Sequence, residues 1–245
     1  MTENGSAPLH EDFPTTAIVL AGGLGTRLRD VVRDVPKPLA PIGDRPFLAH
    51  LLDGLARRGI RHVIFATGHL GHLVEEAFGH TYAGMDLRYS RERAPLGTGG
   101  AVALALGLHN STDDVWVLNG DTYFDCPLAD VAQTHRDARA DVTLALHREP
   151  RADRYGLVEL DDDGLVTAFR EKTPGASGLI NAGVYLLDPE ALQRFDFPEA
   201  FSLERDFFER HLDDLRLVGS PQEGAYFVDI GVPDDYARAQ RYFTR

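Results

Sequence analysis

Residues 17–29 read Ala-Ile-Val-Leu-Ala-Gly-Gly-Leu-Gly-Thr-Arg-Leu-Arg, a short apolar strand that runs straight into Gly22, Gly23 and Gly25. Glycines at the end of a buried strand leave the backbone open to close approach by a ligand, since no Cβ stands in the way. Arg27 follows directly, and Lys37 comes soon after within Pro36-Lys37-Pro38-Leu39. Backbone donors joined by cations make an anion site, so the pattern points to a nucleotide phosphate. The plain alternative is a strand-to-helix turn with a solvated arginine.

Two better-known phosphate loops do not fit. A dinucleotide fingerprint requires Gly-x-Gly-x-x-Gly, but Gly23-Leu24-Gly25-Thr26-Arg27-Leu28 has leucine in place of the third glycine. A P-loop requires Gly-Lys followed by Ser or Thr, and that tripeptide is absent. What remains is a glycine loop followed by a planar guanidinium fork at Arg27.

The rest of the chain alternates between two periods. Thr16–Leu20, His62–Ala66 and Val115–Leu118 are short β-rich runs with helical patterns between them. Pro46–Arg58 puts Phe47, Leu48, Leu51, Leu52 and Leu55 on one stripe and stops at Gly59; residues 69–79 and the alanine-rich Gly99–Gly107 predict two more helices. Such alternation implies a parallel sheet covered by helices on both faces. Beyond Asp141 the spacing changes: Val142, Leu144 and Leu146 alternate, and Asp161-Asp162-Asp163-Gly164 is a hairpin turn between Leu157–Leu160 and Leu165–Phe169. The expected fold is therefore α/β: a single-domain, Rossmann-like three-layer sandwich with a mostly parallel central sheet and a small antiparallel addition in the second half. At 245 residues the chain suits one such domain, taken as residues 15–245 behind a flexible leader at 1–14.

Charge narrows the function. Asp and Glu number 38 against 25 Lys and Arg, a net charge of −13 that repels DNA and RNA. No apolar run is long enough to cross a bilayer, and no export signal is visible, so a cytoplasmic protein without membrane or nucleic-acid partners is expected. The same field repels a free nucleotide, so a phosphate site needs concentrated cations and a divalent metal to offset it. All but two of the basic residues are arginine, and the two lysines stand at Lys37 and Lys172. Lysine kept at only two places suggests that a compact ammonium is required there. Cys126 is the only cysteine, which excludes an internal disulfide and suits a small buried residue.

Two further strands end in carboxylates. Val115-Trp116-Val117-Leu118-Asn119-Gly120 leads to Asp121, and Tyr226-Phe227-Val228 leads to Asp229. A carboxylate beyond a strand end is where open α/β sheets bind ligands, and Mg²⁺ prefers one or two carboxylates plus phosphate oxygens. A turn aspartate capping the next helix is the alternative at Asp121. His69, His72 and His80 lack a cysteine partner and read as a solvated face, while Asp161–Asp163 lacks the glutamate that closes a calcium loop.

The run Leu20-Ala21-Gly22-Gly23-Leu24-Gly25-Thr26-Arg27-Leu28 with Pro36-Lys37-Pro38-Leu39 resembles the signature of the sugar-1-phosphate nucleotidyltransferases, also called nucleotide-sugar pyrophosphorylases. Asp30–Ile42, Pro95–Ala101 and Leu118–Asp125 most resemble the branch that attaches GMP to D-glycero-D-manno-heptose 1-phosphate. The branches using mannose 1-phosphate with GTP, or glucose 1-phosphate with a thymidylyl or uridylyl donor, stay open. The resemblance implies a nucleoside triphosphate and a sugar 1-phosphate as substrates, Mg²⁺ as cofactor, and a possible homo-oligomer. It implies that Leu20, Ala21, Gly22, Gly23, Gly25, Thr26, Leu96, Gly97, Thr98, Gly100, Asn119 and Gly120 bind the nucleotide, and that Asp121 and Asp229 hold the metal. Tyr155, Gly156, Glu171, Lys172 and Asn181 are implied in holding the sugar phosphate. Arg27 would stabilise departing pyrophosphate and Lys37 would bridge the reacting phosphates. Two other classes compete. A silent sugar-nucleotide sensor is disfavoured by the retained lysines, Arg27 and aspartates, and a nicotinamide oxidoreductase by the missing glycine.

Overall fold

The computed structural model describes residues 13–22 and 35–244. Strand β1 (Thr16–Leu20) precedes a 3-10 turn at Lys37–Leu39 and a small ribbon, β2 (Pro41–Ile42) with β3 (Arg45–Pro46), which feeds α1 (Phe47–Arg57). There follow β4 (His62–Thr67), α2 (Gly71–Phe78), β5 (Thr81–Tyr82), β6 (Met85–Arg91), α3 (Gly97–Leu106), β7 (Val115–Asn119) and β8 (Thr122–Phe124). The second half adds α4 (Leu128–Ala138), β9 (Val142–Glu149), β10 (Leu157–Leu160), β11 (Val166–Arg170) and β12 (Gly178–Leu187). It closes with α5 (Pro189–Gln193), a wide helical segment at Leu203–Glu209, β13 (Leu217–Pro221), β14 (Phe227–Asp229) and α6 (Pro233–Phe243).

The strands at the centre are parallel: β1 lies between β4 and β7, and β6 extends beyond β4. Their side chains alternate between two cores. Ala17, Val19, Val63, Phe65, Trp116 and Leu118 face α1, α2 and α4, whereas Ile18, Ile64, Val115 and Val117 face α3, α5 and the Leu203–Glu209 segment. That is the expected three-layer sandwich. The stripe Phe47, Leu48, Leu51, Leu52 and Leu55 is buried as its spacing predicts. At about 1.5–3 kcal/mol for each fully buried apolar side chain, docking that stripe contributes on the order of 10 kcal/mol, far more than the tenths that helix propensity supplies per residue.

The antiparallel addition expected in the second half is present and is not a separate layer. It joins the same ten-stranded sheet edge to edge, because the long β12 pairs antiparallel with β7, β9 and β10. The ladder between β12 and β9 breaks between Asn181 and Tyr185, where Gly183 takes a φ of +69°. Its missing Cβ would lie 2.5 Å from Nδ2 of Asn119, so only glycine lets β12 close over the end of β7. Asn181, implied in holding the sugar phosphate, sits inside β12. The Asp161 turn forms as predicted, with its carboxylate accepting from the backbone N–H of Asp163 at 3.0 Å and Leu165 at 2.8 Å.

Candidate active site

The carboxyl ends of β1, β4, β6 and β7 open into a cavity of about 800 Å³, within the range of small-molecule sites. Each strand supplies wall residues at or just past its end: Leu20 and Gly22 at β1, Gly68 and His69 after β4, Glu92 to Pro95 after β6, Asn119 and Asp121 at β7. Gly97 and Thr98 open α3 on one side, Lys37 and Pro38 close another, and Glu204 enters from the Leu203–Glu209 segment. Among the residues expected to bind nucleotide, Leu20, Gly22, Gly97, Thr98 and Asn119 therefore line one space. Ala21, Leu96, Gly100 and Gly120 stand behind its wall: Ala21 donates to the carbonyl of Ala66 at 2.8 Å, and Gly120 to that of Leu20 at 2.9 Å. Gly23, Gly25, Thr26 and Arg27 lie outside the described residues.

The glycines of residues 97–100 also have a packing role that their spacing did not disclose. A Cβ on Gly97 would come within 2.4 Å of the Phe201 carbonyl, and one on Gly99 within 2.2 Å of the Phe201 ring. Thr98 ties this helix start to a polar network. Its hydroxyl donates to Glu204 at 2.8 Å and accepts from the Leu203 N–H at 2.8 Å. The buried Tyr185 hydroxyl reaches the other oxygen of Glu204 at 3.3 Å and accepts from Asn181 Nδ2 at 2.9 Å. Burial and the Glu204 charge hold that phenol well above its ordinary pKa, so it stays a donor. One carboxylate thus joins the cavity wall at Thr98 to Asn181 by way of Tyr185.

Asp121 and Asp229 converge through strand pairing over a long sequence separation. In the two-stranded β8–β14 sheet, Asp229 lies opposite Thr122, and the Ile230 N–H donates to the Asp121 carbonyl at 3.0 Å. Lys37 Nζ donates to Asp121 Oδ2 at 2.7 Å. Gly231 leaves the room: a Cβ there would sit 2.8 Å from Asp229 Oδ1 and 3.2 Å from Lys37 Nζ. Burial, then the neighbouring Asp121 charge, push the Asp229 carboxyl up from its ordinary pKa, against the opposing pull of Lys37, the Gly231 N–H and Arg154. Two carboxylates repelling each other with one ammonium between them leave a net negative centre of oxygen donors, which fits a hard divalent cation such as Mg²⁺.

Of the residues expected on the sugar side, Asn181 joins the Glu204 network through Tyr185, while Tyr155 packs on the strand that ends in Asp229. The Tyr155 ring packs edge-on to Phe227 with centroids 5.7 Å apart, and burial together with the Asp229 charge pushes its hydroxyl up to about 12. Gly156 approaches the end of β11 so closely that a Cβ would lie 2.8 Å from the Arg170 carbonyl, which sets Tyr155-Gly156 beside Glu171-Lys172. Both Glu171 and Lys172 are exposed.

Sequence reasoning missed Glu92, Glu204 and Arg154. Glu92 follows β6, a strand not anticipated because Met85–Arg91 mixes charge into a half-buried alternation. Its Oε2 accepts from the Leu96 N–H at 2.8 Å, so the carboxylate is fixed against the cavity. The offset of Glu92 from Gly97, placing a carboxylate just ahead of a glycine-opened helix, was the available signal. His69 stands exposed at the cavity wall ahead of α2, while His72 and His80 face solvent as expected; no cluster of three metal-binding side chains occurs among the described residues. Cys126 is buried, and burial pushes its thiol up to about 12, so it is an inert core residue.

A mostly parallel sheet with its cavity, a lysine and two aspartates at the carboxyl ends of the strands is the arrangement of an α/β protein that binds its ligand beyond the strand ends. The chain belongs to the nucleotidyl transferase family, whose model matches residues 16–245. It is 42% identical over 225 residues to a D-glycero-alpha-D-manno-heptose 1-phosphate guanylyltransferase of Aneurinibacillus thermoaerophilus, spanning 92% of this chain and 96% of the relative. The protein of the same description from Campylobacter jejuni is 40% identical over 90% of this chain and 96% of its own length. The crystal structure of HddC from Yersinia pseudotuberculosis complexed with GMP-PN superimposes with a TM-score of 0.83 at 30% identity, covering 94% of this chain and all of that one. The family resemblance seen in the glycine loop is thereby borne out, and so is the single α/β sandwich. No helix among the described residues is long and apolar enough to cross a membrane.

Proposed function

We propose that this chain transfers GMP from GTP to D-glycero-α-D-manno-heptose 1-phosphate, forming a GDP-sugar and releasing pyrophosphate. The observation that carries the chemistry is the group Lys37, Asp121 and Asp229 at the edge of a nucleotide-sized cavity. The two relatives matched over nearly their whole lengths support the sugar. Glu92 supports the base: guanine alone among the common bases sets N1–H beside an N2 amino group, two neighbouring donors that a fixed carboxylate can accept.

A phosphate monoester loses its second proton near ~6, so the attacking oxygen is already ionised at neutral pH and no general base is needed. That oxygen bonds to the α-phosphorus as the bond to the bridging oxygen of the β-phosphate breaks, and pyrophosphate leaves with the electron pair. The chain's task is then alignment and neutralisation of charge. Lys37, held at Asp121, bridges the reacting phosphates; Lys172 holds the sugar phosphate; Arg27 stabilises pyrophosphate. Asp121 and Asp229 would hold Mg²⁺, which when bound supplies further neutralisation of the phosphate oxygens.

Four nucleoside triphosphates assayed against heptose, mannose and glucose 1-phosphates for pyrophosphate release test this. GTP with the heptose 1-phosphate should give the highest kcat/KM. A faster pairing would overturn the substrate assignment, and silence with every pair would overturn the chemistry.

A further inference from the structure

Arg154 lies in the segment between β9 and β10, immediately before Tyr155. Its Nη2 donates to Asp235 in the first turn of α6, and at 3.1 Å to the Tyr155 hydroxyl. Asp235 is only 7% exposed and also takes Arg238 at 3.2 Å, so it is a firm anchor. The Arg154 side chain itself remains 45% exposed, and among the described residues its Nε and Nη1 donate to nothing. A guanidinium with one arm pinned and the other open is a pre-organised donor for a phosphate, which two parallel N–H groups match. The Tyr155 ring that Arg154 touches packs on Phe227 at 5.7 Å, and Phe227 opens the short strand β14 that ends in Asp229, so the guanidinium stands on the Tyr155 side of that carboxylate.

Charge balance gives this cation a task. Asp235 holds the guanidinium and Asp229 ends the strand on which Tyr155 packs, the whole chain carries −13, and Lys37 is already paired with Asp121. A doubly charged phosphate entering past Tyr155 meets net repulsion unless fixed cations receive it, a task Arg154 would share with Lys172. We propose that Arg154 binds the phosphate of the sugar 1-phosphate, with Asp235 as the positioning residue that sets its guanidinium. This rests on the proposed function in taking the Tyr155 side as the sugar side.

The test combines steady-state kinetics with calorimetry of sugar 1-phosphate binding in the presence of a non-hydrolysable GTP analogue. Losing a charge-assisted hydrogen bond corresponds to about a 10–100-fold effect. Arg154→Met should therefore raise KM and Kd for the sugar 1-phosphate by that factor while KM for GTP changes less than about threefold. Arg154→Lys should recover part of the loss, and Asp235→Asn should move the same constants in the same direction by less. Equal changes in both substrates' KM, or unchanged sugar 1-phosphate affinity in Arg154→Met, would overturn the proposal. Arg154→Lys keeps the stem and charge, so the comparison survives a misfolded Met variant: wild-type affinity in Asp235→Asn together with full affinity in Arg154→Lys would also overturn it. If wild type prefers mannose or glucose 1-phosphate, the heptose assignment fails separately, and the Arg154 measurement is made on the tighter ligand.

Discussion

The wall proposed for the nucleotide and the one proposed for the sugar and metal are assembled in opposite ways. The nucleotide wall is built chiefly at the ends of parallel strands, where Gly22, Gly68, Glu92, Asn119 and Asp121 come at or just past the ends of β1, β4, β6 and β7 in order, with Gly97 and Thr98 of α3 beside them. The other wall is made by antiparallel pairing between distant segments, with Asp229 set opposite Thr122, Asn181 in an interrupted stretch of β12, and Arg154 tied to Asp235 across 81 residues. Parallel strands deliver ligand groups by local sequence, so that wall is robust to changes elsewhere. The second wall depends on register, and Asp121 with Lys37 marks the seam between the two.

The seam should show the largest effect. Asp121→Asn keeps the shape but removes the charge partner of both Lys37 and the cation, so kcat should fall by about 10²–10³-fold, as when a main electrostatic element is lost. KM for GTP should change much less, because the cavity behind Asp121 is untouched. Pyrophosphate release by that variant at wild-type rate and ordinary Mg²⁺ would break the division between walls by showing that the paired carboxylates are not part of the chemistry.

Glu92 sharpens the comparison from the nucleotide side. Glu92→Gln replaces one acceptor by a donor while preserving size, so kcat/KM for GTP should drop by about 10–100-fold, the cost of one unmatched hydrogen bond to a charged group. The discrimination between GTP and ATP should narrow, with KM for the sugar 1-phosphate unchanged. A variant that keeps full preference for GTP would show that the base is read elsewhere in the cavity.

The two walls also differ in how far the sequence discloses them. The strands ending at Leu20 and Asn119 and the lysine at Lys37 are legible because they are written in consecutive residues. The stripe of α1 and the Asp161 turn are legible for the same reason. Asp229 could be named as a strand-end carboxylate, but its meeting with Asp121 follows from the β8–β14 register, which no local pattern encodes. Arg154 was invisible because its anchor, Asp235, lies on α6. Glu204 was invisible because its partners come from α3, β12 and Ser202. The edge-to-edge placement of the antiparallel strands likewise depends on Gly183 passing over Asn119, a contact between residues far apart in sequence.

The smallest effect is the one that tests the register-built wall most directly. Burial and the Asp121 charge raise the Asp229 pKa in the folded chain. Between the ordinary carboxylate value and that raised value the folded state binds more protons than the unfolded one, so stability falls as pH rises through the window. Below both values Asp229 is neutral in each state and carries no penalty. At neutral pH the penalty is full. Asn is neutral throughout, and its carbonyl can still accept from the Gly231 N–H, which now holds Asp229 Oδ1 at 2.7 Å. Asp229→Asn should therefore raise Tm by about 2–4 °C at pH 7 in chelator, the shift expected for about 1 kcal/mol in a chain of this size. The gain should fade as pH drops below the carboxylate range, and added Mg²⁺ should raise the Tm of wild type more than that of the variant. A variant that melts below wild type in chelator at pH 7 would mean that Asp229 is held in its charged form by contacts stronger than the repulsion of Asp121, and the two carboxylates would not then form a waiting cation site.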